Sequence, residues 1–395
     1  MADRVAITGV GAVSALGASA AATLAGLVRG DRGIRPIGDF DASGFDCRAA
    51  ARAARPDPEA LGVHPRDARI MGAPALWLLQ AGREAAAGAG LPAAGIAPEA
   101  LGGFAAMGMV DPDVADLQGA VLKSRGGSGL DFPRFYAGAY REIHPLWPLA
   151  MLNNVGFCLA AIGLGLRGEN ATFSPSPDGT VTALAEAAGA VSAGRAAAVL
   201  AGGVGEAVSP WSLARAHRSM ALSPAGDCRP FAPDRDGTVP GEGGGLLALE
   251  SESAARARGA KPLAVLAGWG LAWDGDPAAA WARAAGAALA MAGTPDVPPY
   301  LVMAHGDGTP DGDAAESAAI RRILGAAADA VPVLSTKGAL GHCGPGAPAL
   351  DAVLAALVLA GGPLPPPVAA PPGRILILTR GGEGGAAALL LDAAR

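Results

Sequence analysis

The chain is poor in the residues that build several common kinds of site. Four cysteines in 395 residues, Cys47, Cys158, Cys228 and Cys343, stand far apart, with no Cys-x-x-Cys pair. That spacing excludes a disulfide framework and a structural zinc site, so incidental thiols and no metal are expected. Aromatic residues make up 4% of the chain and charged residues 17%. Base is not in excess: 30 Lys and Arg stand against 36 Asp and Glu, a formal net charge of −6. A nucleic-acid surface is therefore not expected. Long apolar runs are missing too. Mean hydropathy is +0.33, yet the densest C-terminal run, Ala352 to Ala360, is far shorter than the roughly 20 residues a bilayer span needs. Arg4 leads straight into Val5-Ala-Ile-Thr-Gly-Val-Gly11, a strand and turn rather than a secretory signal. These absences together predict a soluble, cytoplasmic protein without membrane segments.

What the chain does have is small and apolar. Hydrophobic residues reach 51%, with 59 Gly and 33 Pro, which suits closely packed α/β layers with many turns. Its length exceeds the usual size of one core, so two packed domains or one large duplicated fold are expected. Buried strands are predicted near Val5, at Leu101–Val110, Ala197–Val204, Gly241–Glu250, Val265–Gly270, Tyr300–Ala304, Val331–Ser335, Arg374–Thr379 and Ala386–Leu391. Helical periods lie between them, at Ser19–Val28, Arg69–Ala87, Ala278–Ala292, Ile320–Ala328 and Ala349–Ala360. Such alternation implies a layered α/β architecture, although no repeat is visible in the residues. Leu152–Leu166 is apolar nearly all round and reads as a deeply buried helix. Residues 30–66 read as a surface excursion, and 111–148 as irregular chain holding many of the aromatics, suited to an interface or a pocket wall. Gly9-x-Gly11 is only a weak dinucleotide signal, because no third glycine and no ribose-binding acid follow it.

One stretch carries the chemical question. Asn170 to Ser174 reads as a strand, and Asp178 to Gly194 as a helix; Ser176-Pro177-Asp178-Gly179 forms the elbow near their junction. A helix N-terminus there would stabilise negative charge through its dipole and free N–H groups, a common setting for a nucleophile. No cysteine stands there. Ser-Pro-Asp instead reads as a helix start, with Ser176 as N-cap, Pro177 at the first helical position and Asp178 in the first turn.

Several motifs, in order, resemble the β-ketoacyl synthase family of the thiolase superfamily. They are Val5-Ala-Ile-Thr-Gly-Val-Gly-Ala-Val-Ser-Ala-Leu-Gly17, Leu152-Asn-Asn-Val with Gly-Leu-Arg-Gly168, Leu200-Ala-Gly-Gly-Val, and Cys228-Arg-Pro-Phe-Ala-Pro-Asp-Arg-Asp-Gly237. Further on stand Gly241-Glu-Gly-Gly-Gly-Leu-Leu-Ala-Leu-Glu250, the run from His305-Gly-Asp-Gly-Thr through Glu316, and Ser335-Thr-Lys-Gly-Ala-Leu-Gly-His342. The resemblance implies a five-layered αβαβα fold of two similar halves, 1–252 and 253–395, with a dimer-facing segment at about 107–175. It implies acyl condensation on the phosphopantetheine arm of an acyl carrier protein, with no other cofactor. In active members a cysteine at the elbow takes the acyl chain. His305 and His342 match two histidines that support decarboxylation and attack, and Lys337 matches a lysine that orders the second of them.

Set against that pattern, the chain departs where chemistry is expected. Gapless alignment through the helix puts Pro177 at the nucleophile position; one inserted residue puts Ser176 there. Proline offers neither a nucleophile nor the N–H that forms half of the oxyanion hole. Thr238 stands where the family has a phenylalanine, and Asp307 where a threonine contacts the phosphopantetheine arm. Arg380-Gly-Gly-Glu-Gly-Gly-Ala386 keeps the glycines of the C-terminal gate and loses its aromatics. The resemblance then implies a chain-length-factor-like subunit that pairs with a cysteine-bearing ketosynthase and shapes the acyl tunnel, with no catalytic residues of its own. Two alternatives remain open at this point. One is a serine-dependent acyltransferase or hydrolase using Ser176 with His305 and His342; the other is a decarboxylating enzyme using the two histidines alone. His64, His144 and His217 have no partner spacing and are expected at the surface.

Overall fold

The computed structural model describes residues 3–394 apart from 112, 128, 294–296, 367, 369–372 and 383. Its main sheet contains β1 (Val5–Ser14), β2 (Leu101–Met107), β3 (Asn170–Phe173), β4 (Ala198–Val204) and β5 (Gly243–Ser251). It continues with β6 (Ala264–Trp273), β7 (Leu301–Met303), β8 (Val333–Leu334), β9 (Arg374–Arg380) and β10 (Gly385–Ala393). The order across the ten strands is β8-β7-β9-β10-β6-β1-β5-β4-β2-β3. The principal helices are α1 (Ala20–Arg29), α2 (Ala73–Gly88), α3 (Val114–Lys123), α4 (Asn153–Leu164) and α5 (Asp178–Ser192). After them come α6 (Pro210–Ser219), α7 (Pro277–Met291), α8 (Pro310–Leu324) and α9 (Gly346–Leu359).

The duplication that the residues hide is plain in the strand pairing. β1 and β6 meet at a short seam, Val5–Leu266, Ala6–Val265 and Ile7–Ala264. Outward from it, β1–β5 and β5–β4 are antiparallel while β4–β2 and β2–β3 are parallel. On the other side β6–β10 and β10–β9 are antiparallel while β9–β7 and β7–β8 are parallel. α5 and α9 each touch strands of both sides; α2 and α4 cover one outer face, and α7 and α8 the other. That is a helix–sheet–helix–sheet–helix stack. The apolar clusters follow it: Val181, Leu184, Val353 and Leu354 in the middle, Leu76, Trp77 and Phe157 on one outside, Trp281, Ile320 and Leu376 on the other.

The paired glycines of the two seam strands explain how the outer helices sit. A Cβ on Gly9 or Gly11 would lie 2.1 or 2.0 Å from the carbonyl oxygens of Ala85 and Ala81 in α2. A Cβ on Gly268 or Gly270 would lie 2.1 Å from those of Ala288 and Ala284 in α7. Each strand also shifts register just before its first glycine, between Ile7 and Gly9 and between Leu266 and Gly268. Helix backbone thus rests directly on strand backbone in both halves. Gly9-x-Gly11 is a helix seat and not a nucleotide loop.

Several sequence expectations need correction. α4 is not deeply buried: only Gly156, Phe157 and Ala160 are, while Ile162 is 73% exposed. The segment expected to be irregular contains α3 and shorter helical turns at Phe132–Ala137, Ala139–Glu142 and Trp147–Ala150. Its prolines cut it into pieces, and Asp113 and Asp131 cap two of them. The surface excursion includes a buried portion, Cys47 and Ala49 to Ala51, that packs beneath α6. α8 begins at Pro310, ten residues before the expected 320, because Thr309 caps it by accepting from the Gly312 N–H. Cys47, Cys228 and Cys343 are buried and Cys158 is exposed; all four are free thiols. Among the described residues no helix is long and apolar enough to cross a membrane.

Candidate functional site

β3 delivers the chain to the elbow, and α5 leaves it. The Ser174–Pro175 peptide is cis. Pro177, at φ −57° and ψ −34°, is the residue immediately before α5 and makes no side-chain cap. Ser176 is not the N-cap that the sequence suggested. Its Oγ is buried and has no hydrogen-bond partner among the described residues. Backbone closes the turn instead: the Gly179 N–H donates to the Ser176 carbonyl at 3.0 Å, and the Thr180 N–H to that of Pro177 at 3.1 Å. The pattern slips by one residue because proline's fixed φ is helical at either position. Asn153, at the start of α4, holds the turn from the side, donating to the Gly108 carbonyl at 2.8 Å and to Ser174 Oγ at 2.7 Å.

The glycine loop after β9 packs onto the same turn. A Cβ on Gly381 would fall 2.5 Å from Asp178 Oδ2. The acid in the elbow and the bare loop are therefore two parts of one packing arrangement. Glu383, in that loop, lies outside the described residues.

His305 stands just past β7 and His342 just before α9, the place in the second half that the elbow before α5 takes in the first. Their ring centroids lie 5.4 Å apart at 77°. His305 is 3% exposed. Its Nδ1 accepts the Arg380 N–H at 3.3 Å and its Nε2 faces Asp307 Oδ2 at 3.7 Å. In a neutral ring with Nδ1 accepting, the proton sits on Nε2, on the side of the Asp307 carboxylate. His342 Nδ1 accepts the Gly344 N–H at 3.2 Å, which leaves its Nε2–H as a donor. Lys337 is buried, and its ammonium donates to the His305 carbonyl. The expected ordering of the second histidine thus falls on the first. Glu316 clamps the same loop, accepting the His305 N–H at 2.6 Å and the Gly306 N–H at 2.7 Å.

Burial sets the charge states. It pushes His305 down to about 4 and His342 to about 3, helped by the Lys337 charge in both cases. Both rings are neutral near pH 7. For Asp307 burial acts upward but is outweighed by the His305 and Thr309 hydrogen bonds, which hold it well below the usual carboxylate range. Burial pushes Glu316 the other way, up to about 8. The linkage signs differ accordingly. Between pH 6.5 and about 4 the unfolded chain takes up histidine protons that the native chain refuses, so the pair lowers stability as pH falls, by about 1 kcal/mol per unit per ring. Glu316 binds its proton more tightly when folded, so it raises stability over part of the same descent. We therefore expect denaturation midpoints of wild type and a His305→Gln/His342→Gln variant to converge as pH drops from 7 to 5. Parallel pH profiles would contradict the buried neutral pair.

An outer cavity of about 720 Å³ gathers Ser176, Pro177, His305, Asp307, His342 and Arg380. An inner one of about 200 Å³ lies behind the elbow and shares Pro175, Pro177, Ser219, Met220 and His342 with it. Pro177 stands where the two meet. Thr238 lines neither cavity: it is fully buried, and its Oγ1 has no hydrogen-bond partner among the described residues. Sequence reading missed the Arg380 N–H and the roles of Glu316 and of Asp351, which accepts from Thr336 Oγ1 at 2.7 Å. Their positions inside the motifs were visible; their partners were not. His64, His144 and His217 are exposed and apart from the site. Among the described residues no cluster could hold a metal.

The chain can now be compared with known proteins. The family model described as "Beta-ketoacyl synthase, N-terminal domain" matches residues 2–255, and "Beta-ketoacyl synthase, C-terminal domain" matches 263–370. The 3-oxoacyl-[acyl-carrier-protein] synthase 2 of Synechocystis sp. is 31% identical over 371 residues, covering 90% of this chain and 85% of that protein. The solved structure titled "The ishigamide ketosynthase/chain length factor" superposes with a TM-score of 0.83 at 28% identity, covering all of both chains. A β-ketoacyl synthase from Burkholderia phymatum STM815 shares the fold, with a TM-score of 0.81 at 24% identity and full coverage of both chains. Matched in sequence from residue 2 to residue 370 apart from a short join, and carrying the layered duplicated fold, the chain belongs to the β-ketoacyl synthase family.

Proposed function

We propose that the protein is a chain-length-factor-like subunit, which pairs with a cysteine-bearing ketosynthase and shapes the acyl tunnel without condensing on its own. The observation that carries this reading is Pro177 at the residue before α5, lining both cavities. It has no nucleophilic atom and no N–H to offer a developing oxyanion. Ser176 does not compensate. Its Oγ has no hydrogen-bond partner among the described residues, whereas a serine nucleophile needs a base to take its proton. The acceptor nitrogen of His305 is taken by the Arg380 N–H, and Asp307 puts negative charge beside the ring. His305, Lys337 and His342 are then remnants that brace the loops, with Ser176, Pro177 and Thr238 as the altered positions. Residues 1–252 and 253–395 are the two halves, and the substrate is an acyl group on the phosphopantetheine arm of an acyl carrier protein.

The exposed apolar residues support pairing. Leu122, Phe132, Tyr136, Leu149, Leu152 and Ile162 are each at least 38% exposed, and all fall within 107–175, the segment expected to face a partner. β3 closes the same segment as the end strand of the sheet, free to extend pairing across a two-fold axis. The test is co-expression with a cysteine-bearing ketosynthase. Stable co-purification is expected, and Ile162→Asp should weaken it by more than about tenfold while leaving thermal unfolding of the single chain unchanged. A chain that stays monomeric beside every such ketosynthase tried, or an Ile162→Asp variant that still pairs fully, argues against the reading.

A further inference from the structure

The inner cavity does not end on an apolar wall. Glu206, Ser212 and Arg215 line it together with Met109 and Val208. Met109 and Val208 also line a surface groove of about 660 Å³, whose wall includes Asp111 and Trp147. Arg215 joins the two spaces. Its guanidinium donates to Asp111 Oδ1 at 2.6 Å on the groove side and to Glu206 Oε2 at 2.5 Å on the cavity side. Asp111 is held in turn by Ser209 Oγ at 2.5 Å, and Ser209 caps α6, the helix that carries Arg215. The three charged side chains thus form a braced partition between cavity and groove.

We propose that Asp111, Glu206 and Arg215 form a selectivity wall that limits the inner cavity to a short, oxygen-bearing acyl chain and disfavours a long alkyl one. This rests on reading the protein as an acyl-tunnel subunit. Size comes first: about 200 Å³ holds roughly six or seven non-hydrogen atoms at about 30 Å³ each. Chemistry comes second. A guanidinium has five N–H groups, and the bonds to Asp111 and Glu206 leave others for an acceptor entering the cavity. A carbonyl or hydroxyl oxygen can take them; a methylene cannot, and it would strip water from the charges without replacing it. A long alkyl tail would have to break the partition to reach the groove.

The test reads binding by the purified full chain, using 3-oxohexanoyl- and decanoyl-N-acetylcysteamine as probes in ligand-observed NMR titrations. The oxo probe should bind at least about tenfold more tightly, the scale set by a polar group matched or left unmatched in a closed site. Arg215→Met alone leaves two carboxylates unpaired and can fail to fold. The informative variant is therefore Asp111→Asn/Glu206→Gln/Arg215→Met, which removes every charge at once. It should lose the preference or reverse it. Equal binding of the two probes by wild type, no binding of either, or an unchanged preference in the triple variant would overturn the proposal. Because the readout is affinity of the isolated chain, it is independent of whether that chain condenses.

Discussion

Purified alone and given acyl and malonyl thioesters, the chain is expected to form no covalent acyl adduct and no condensed product. Three features combine to that end. Pro177, the residue before α5, has neither a thiol nor an N–H to offer, and on the proposed reading it stands at the point of attack. A single lost oxyanion donor costs a factor of about 100–1,000 in rate, and loss of the nucleophile adds to it. Asp307 sits 3.7 Å from the His305 ring nitrogen that would otherwise face an anion. Intact-mass spectrometry after incubation with several acyl thioesters checks the adduct, and release of labelled carbon dioxide checks decarboxylation. Ser176→Ala should change neither readout. A mass increase that disappears in Ser176→Ala would establish a serine enzyme. Turnover that disappears when His305 or His342 becomes alanine would establish a decarboxylase.

The second large effect concerns the fold. Gly11→Ala and Gly270→Ala should each destabilise the protein by about 3 kcal/mol or more, since overpacking a tight contact costs about 1–3 kcal/mol and here the obstacle is helix backbone. The Cβ would meet the Ala81 carbonyl oxygen at 2.0 Å in one case and that of Ala284 at 2.1 Å in the other. The two losses should match, because the positions are equivalent in the duplicated halves. Gly189→Ala is the control. It lies in α5 with nothing within 4 Å of the added atom, so it should stabilise by up to about 1 kcal/mol through helix propensity. Denaturant titration measures all three. A harmless Gly11→Ala would mean that α2 does not rest on β1 as described.

How far the residues disclose this structure depends on the range over which each signal acts. Strands such as Ala198–Val204, buried at every position, are legible because a short continuous apolar run is written in consecutive residues. The two-fold repetition is not, because backbone pairing conserves topology while side chains diverge. α4 misleads for a physical reason. A helix apolar on every side must be covered, but its sequence does not say whether by its own chain or by another. The elbow misleads by one residue, since Ser-Pro-Asp satisfies two capping registers. The absence of cysteine at 176–178 is visible in the sequence; the packing of that elbow against the loop at 381 is not. Asp111, Glu206 and Arg215 escaped notice because each is unremarkable among its neighbours, and only the folded chain brings them together.

The contact between Gly381 and Asp178 ties together two segments that lie far apart in the chain. Any side chain added at 381 meets the Asp178 carboxylate first, at 2.5 Å from its Cβ. A side chain at 381 therefore fits only beside a smaller residue at 178, so the two positions are expected to change together. The packing of two small segments makes them a single unit of substitution.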